Sequence, residues 1–114
     1  MFFILYIAQQ AMDISCEQAH QALEDCQTDF VRFVPVDELL FQLEIKRIIT
    51  ENQKTNIKIC PYRDKKAEKL LHILKESQSA DDFKTFCQLL QNRSVTSVQE
   101  FGKKLLDKAR SSTG

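Results

Sequence analysis

The chain has 114 residues, with 16 basic and 16 acidic side chains, 43% hydrophobic residues, two glycines and two prolines. A chain of that length supplies one hydrophobic core rather than two. Turn punctuation this sparse excludes a multi-stranded β architecture and leaves no glycine-rich loop to cradle phosphates, so an all-α bundle is expected.

The opening window, Met1 to Ala8 (MFFILYIA), is the most hydrophobic in the chain. It is too short to span a bilayer, which takes about 20 apolar residues in a helix. No basic leader precedes it and no small-x-small cleavage site follows it, so it fits a secretory signal poorly. Residues 1–12 read as an N-terminal apolar extension, with packing of that segment on the bundle as the alternative. The folded domain is expected over residues 13–110 and a frayed tail over 111–114.

A first helix is expected from about Ile14 to Phe33, presenting Ala19, Leu23, Cys26 and Phe30 on one face. Pro35 ends it, because the residue before a proline is pushed out of the α region. Glu38-Leu39-Leu40-Phe41-Gln42-Leu43 forms a short apolar second helix. Ile48-Ile49-Thr50-Glu51 reads as a hydrophobic staple and threonine cap opening a third helix, Glu51 to about Ile59, which Pro61 separates from the next.

The stretch from Tyr62 to Leu90 carries the strongest signal, two amphipathic helices joined tightly. Ala67, Leu70, Leu71 and Leu74 share one face of the first, and Phe83, Phe86, Leu89 and Leu90 one face of the second. Ser79 is expected to cap the second, with Asp82 three residues on as its capping-box acid. A last helix, about Val95 to Ala109, offers Val98, Phe101, Leu105 and Leu106. Gly102 lowers its propensity, and Lys103, Lys104, Lys108 and Arg110 complement its C-terminal dipole. Arg110 to Gly114 should fray. The aromatic and leucine positions of all these helices are assigned to the core.

Cys16, Cys26, Cys60 and Cys87 do not form a metal or disulfide pattern. Cys16 and Cys26 would lie about 15 Å apart along one helix, too far to bridge. No C-x-x-C pair exists, and Cys16 with His20 has no second pair to complete a tetrahedral site. Buried reduced thiols are expected, with His72 a partly buried helix residue. No nucleophile, paired carboxylate, metal cluster or phosphate loop can be assembled, so neither an enzyme nor a cofactor is expected.

The charge is divided along the chain. Residues 1–45 carry eight acids and only Arg32, a net −7, whereas residues 46–114 carry 15 basic and eight acidic side chains, a net +7. An acidic and a basic surface on one molecule allow a heterologous contact that propagates head to tail. A basic helical second half also admits a small nucleic-acid-binding domain, but acids such as Asp64, Glu68, Glu76 and Asp107 interrupt it and the whole chain is neutral.

Taken in order, ELLFQLEIKRIIT, a short polar helix, KKAEKLLxxL and FxxFxxxL resemble the caspase recruitment domain (CARD) family of the death-fold superfamily, over about Cys16 to Ala109. The resemblance implies a six-helix antiparallel bundle of Greek-key type and a cytoplasmic, non-enzymatic module. Such modules bind other CARDs in an adaptor, receptor or caspase, or polymerise, to assemble apoptotic or inflammatory complexes. Carried over by position, it implies a partner-binding basic face of Arg63, Lys65, Lys66 and Lys69, with Lys84 as an addition, and an acidic face of Asp37, Glu38, Glu44 and Glu51. The first helix departs from the family pattern, because Glu17, Glu24, Asp25 and Asp29 make it acidic where a basic contribution is usual. Arg47 and Ser79 stand where many members carry glycine. Arg47 therefore calls for an unstrained turn geometry or one in which φ stays negative.

Overall fold

The computed structural model describes residues 14–77 and 79–111. The apolar extension, the expected domain start near Met12 and the last three residues lie outside them. Among the described residues seven helices form: α1 (Cys16–Asp25), α2 (Gln27–Phe33), α3 (Val36–Ile45), α4 (Glu51–Lys58), α5 (Arg63–Glu76), α6 (Ala80–Gln91) and α7 (Thr96–Ser111). The seventh arises because the single first helix expected from Ile14 to Phe33 is two. Cys26 leaves helical geometry at φ −106° and ψ 15°, although no proline or glycine is near it.

The helix starts follow local chemistry. Ser15 and Gln18 form a reciprocal capping box at α1, and Thr50 and Gln53 another at α4, each side chain bonding the other's backbone N–H. The threonine cap is as expected, but the staple is not. The residue at the fourth helical position is Lys54, and Ile48 and Ile49 go into the core. At α6, Ser79 Oγ accepts from the Asp81 N–H at 3.2 Å, while the Asp82 carboxylate accepts from the Ser77 hydroxyl at 3.2 Å. The expected capping box there is replaced by this serine bridge across the α5–α6 junction.

Helix α3 ends in a Schellman motif: the Arg47 N–H reaches the Glu44 carbonyl and the Ile48 N–H the Leu43 carbonyl, both at 2.9 Å, and the buried Leu43 and Ile48 supply its apolar pair. The position that closes such a motif is left-handed, and Arg47 occupies it at φ 62°. The expectation of a negative φ is overturned, because the two backbone bonds and the burial of Ile48 outweigh the steric cost at one exposed residue.

The core is one cluster drawn from all seven helices and the loops before α1, α3 and α4. Phe30 of α2 has no exposed surface; its ring stacks on Phe86 at 5.6 Å and meets Phe101 edge-on at 6.4 Å. Packing order is not chain order, since α1 lies against α5 and α7, and α2 against α5 and α7. Ala19, Leu23, Cys26, Ala67, Leu70, Leu71, Leu74, Phe83, Phe86, Leu90, Val98, Phe101 and Leu105 are buried as their periodicity demands. Leu89 and Leu106 are partly buried, and Cys87 takes the place Leu89 was assigned. Phe41 is a plain exception, 64% exposed on the outer face of α3.

Gly102 lowers the helix propensity of α7, and packing explains its presence. A Cβ there would lie 2.7 Å from the Leu90 Cβ and 3.0 Å from the Cys87 carbonyl oxygen, so the α6–α7 contact requires its absence. The last helix runs to Ser111, two residues past the expected limit at Ala109. Only two of the four thiols are buried, Cys26 and Cys87, and burial pushes both above the usual thiol range.

These features give three tests. Gly102→Ala should destabilise the bundle by up to about 2 kcal/mol, the overpacking cost of about 1–3 set against a propensity gain of about 1; a melting temperature above the parent's would contradict the close approach. Arg47→Gly should raise stability by about 1 kcal/mol by relieving the left-handed conformation, and Arg47→Ala should not; calorimetry of the two variants decides it. Because the thiolate is the reactive species, iodoacetamide should modify exposed Cys16 in the native protein and leave Cys87 untouched until denaturant is added. Equal labelling rates by mass spectrometry would refute its burial.

Candidate protein-interaction surfaces

Helix α5 carries the four cations assigned to a basic face, but the fold turns them two ways. The core residues Ala67, Leu70, Leu71 and Leu74 fix one side, and the stripe farthest from them is Tyr62, Lys65, Lys69 and His72, all exposed, at spacings of three, four and three. Arg63 and Lys66 lie on the flank toward α2 and α3. Arg63 donates to the Val31 and Arg32 carbonyls at 2.9 and 2.6 Å, satisfying two orphan acceptors in the last turn of α2. Lys66, with 19% of its side chain exposed, holds the Asp37 carboxylate at 3.0 Å.

The four acids are also divided. Asp37 meets Lys66; Glu38 meets Arg93 at 3.1 Å; Glu44 meets Lys54, fastening α3 to α4. No ion pair engages Glu51 or Lys69 among the described residues. Lys65 meets Glu68 at 3.5 Å along its own helix, and Lys84 meets an exposed Asp81 at 3.8 Å. Arg63, Lys66, Asp37 and Glu38 thus gather round one depression beside Phe33 and Pro35, where the two expected faces meet each other.

The wider pattern is that the charge division of the sequence folds back on itself. Glu24, Asp29, Asp37, Glu38 and Glu44 of the acidic half pair with Lys75, Lys104, Lys66, Arg93 and Lys54 of the basic half. The Asp29 carboxylate, by its hydrogen bond and its charge, holds the Lys104 ammonium above the usual lysine range. The acidity of the first helix, which departed from the family pattern, is answered in this way by α5 and α7.

Two apolar features outside the charge pattern went unrecognised in the sequence. Phe41 and Ile45, 64% and 54% exposed, form one strip on the outer face of α3. Their spacing was legible, since Val36, Leu39, Leu40 and Leu43 claim the inner face and leave positions 41 and 45 opposite. The second is an open groove lined by Cys60, Pro61, Tyr62, Lys65, Glu68, Lys69 and His72. No periodicity could reveal it, because the Pro61 turn makes one wall and the outer stripe of α5 the other. His72 is exposed rather than partly buried, and lies 3.0 Å from Glu76.

No cluster of three or more potential metal ligands occurs among the described residues, and no described helix is long and apolar enough to cross a membrane. The geometry on offer is that of surfaces. The caspase recruitment domain profile matches residues 20–104, about three quarters of the chain. No curated protein and no solved structure gives a significant match. Domains of this kind are non-catalytic and bind other domains of their own kind in apoptotic and inflammatory signalling. With an all-helical fold and a match over most of its length, this chain belongs to the caspase recruitment domain family.

Proposed function

We propose that this protein assembles signalling complexes in the cytoplasm by CARD–CARD contact, with a CARD-bearing adaptor, receptor or caspase as partner and with further copies of itself. The contact places the basic face of α5 against an acidic face on α3 and α4. Lys65 and Lys69 are the outer-stripe cations of the basic face, with Arg63 and Lys66 at its edge; Asp37, Glu38, Glu44 and Glu51 make the acidic face. The observation that carries this reading is the outer stripe of α5, where Lys65 and Lys69 stand clear of the pairs between the two halves of the chain. Asp37 and Glu38, although paired, keep most of their side-chain surface in water. The two surfaces differ, so a contact between them is heterologous and can add one copy after another.

Duplex binding is not favoured. Lys54, Lys66, Lys75, Arg93 and Lys104 each hold a carboxylate, which interrupts the continuous basic track a phosphate backbone needs.

Light scattering of the full chain across concentration should show growth at low salt that reverses at high salt. Lys65→Glu combined with Lys69→Glu should abolish that growth and CARD-partner binding, while the melting transition stays within about 0.5 kcal/mol of the parent, since both side chains are exposed. Lys66→Glu is a poor probe of the same face, because it would set two carboxylates against each other at Asp37. Unchanged assembly by the folded double variant would overturn the assignment.

A further inference from the structure

We infer that the centre of the contact between copies is apolar, with the α3 strip of Phe41 and Ile45 on one copy seated in the Cys60–Pro61–Tyr62 groove of the next. The inference rests on the charged-face reading above and identifies what lies inside its charged rim.

Three observations meet here. Phe41 and Ile45 are the exposed large apolar side chains on one helix face, one turn apart, and Tyr62, itself 68% exposed, walls the groove. An apolar cavity of about 150 Å³ already admits a benzene ring, and the groove measures about 470 Å³, enough for the Phe41 ring with Ile45 beside it. The rims match in charge: Lys65, Glu68 and Lys69 border the groove and leave it a net positive edge at Lys69, while Asp37 and Glu38 flank Phe41, four and three residues before it. An aromatic anchor in an apolar pocket, ringed by charge, is the arrangement in which a few residues dominate binding energy. The same rims name the occupant, because a strip bordered by carboxylates fits a groove whose edge is net positive, and this chain supplies both. The Asp37–Lys66 pair ties α3 to α5 in one copy, while Phe41 stays exposed there; the groove it fills is a second copy's.

The test uses full-length Phe41→Ala and Tyr62→Ala. Each should weaken self-association on the order of 30-fold and remain a monomer at low salt, where the parent grows, with an unchanged melting transition. Mixed in equal amounts they should form a two-copy species that does not elongate, since the intact groove of one meets the intact strip of the other and the remaining ends are both defective. Sedimentation velocity reads each species. Growth of either single variant like the parent, alongside loss of growth in the Lys65→Glu, Lys69→Glu variant, would overturn the apolar centre and leave the charged faces standing. Growth of all variants would overturn both readings. A parent monomeric at every salt concentration would overturn a second copy as the occupant, while leaving binding to other CARDs as a separate measurement. Single variants that are monomeric but do not pair when mixed would overturn the heterologous geometry.

Discussion

Phe30 is the ring around which this bundle is set. The bend at Cys26 carries it between Phe86 of α6 and Phe101 of α7, with its whole side chain removed from water. Burial of such a ring is worth about 1.5–3 kcal/mol, and the aromatic contacts add to that. Those contacts also require α6 and α7 to lie close together, which Gly102 permits by leaving the space beside Leu90 and the Cys87 carbonyl. Arg63 then secures the end of α2 by bonding its last carbonyls, so a residue of α5 outside the core helps hold Phe30 in place.

The charges act on a different scale. Exposed ion pairs contribute about 0–1 kcal/mol each, so the five pairs between the two halves of the chain are not what holds the helices together. Their effect is on what remains. Each pair withdraws a cation from the surface field, and Lys65 and Lys69 on the outer stripe of α5 stay outside those pairs. The −7 and +7 halves of the sequence therefore do not become two charged hemispheres. They become a neutral seam bordered by smaller patches.

Small charged patches suit steering and register better than affinity, because water and salt screen them. An apolar anchor supplies affinity without directing orientation. The proposed contact joins the two on adjacent stripes of α3 and α5, with Phe41 among carboxylates and the Tyr62 groove among lysines. For the proposed contact, that division of labour has a physical basis.

Helical order, core faces and family were legible in the sequence. Leu70, Leu71, Leu74, Phe83, Phe86, Phe101 and Leu105 announce themselves by spacing, since helix periodicity is a local property; Pro35 and Pro61 act through their own backbone restrictions. Caps were partly legible: Thr50 was read, while the reciprocal glutamines at Gln18 and Gln53 were missed although the pattern was present. The bend at Cys26, the left-handed Arg47 and the fit of Gly102 against α6 were decided only when distant segments packed. So were the partners of Asp37, Glu38 and Glu44, because sequence counts charges while only tertiary structure sets the distance between them, and it is distance that determines which charges are left for a partner.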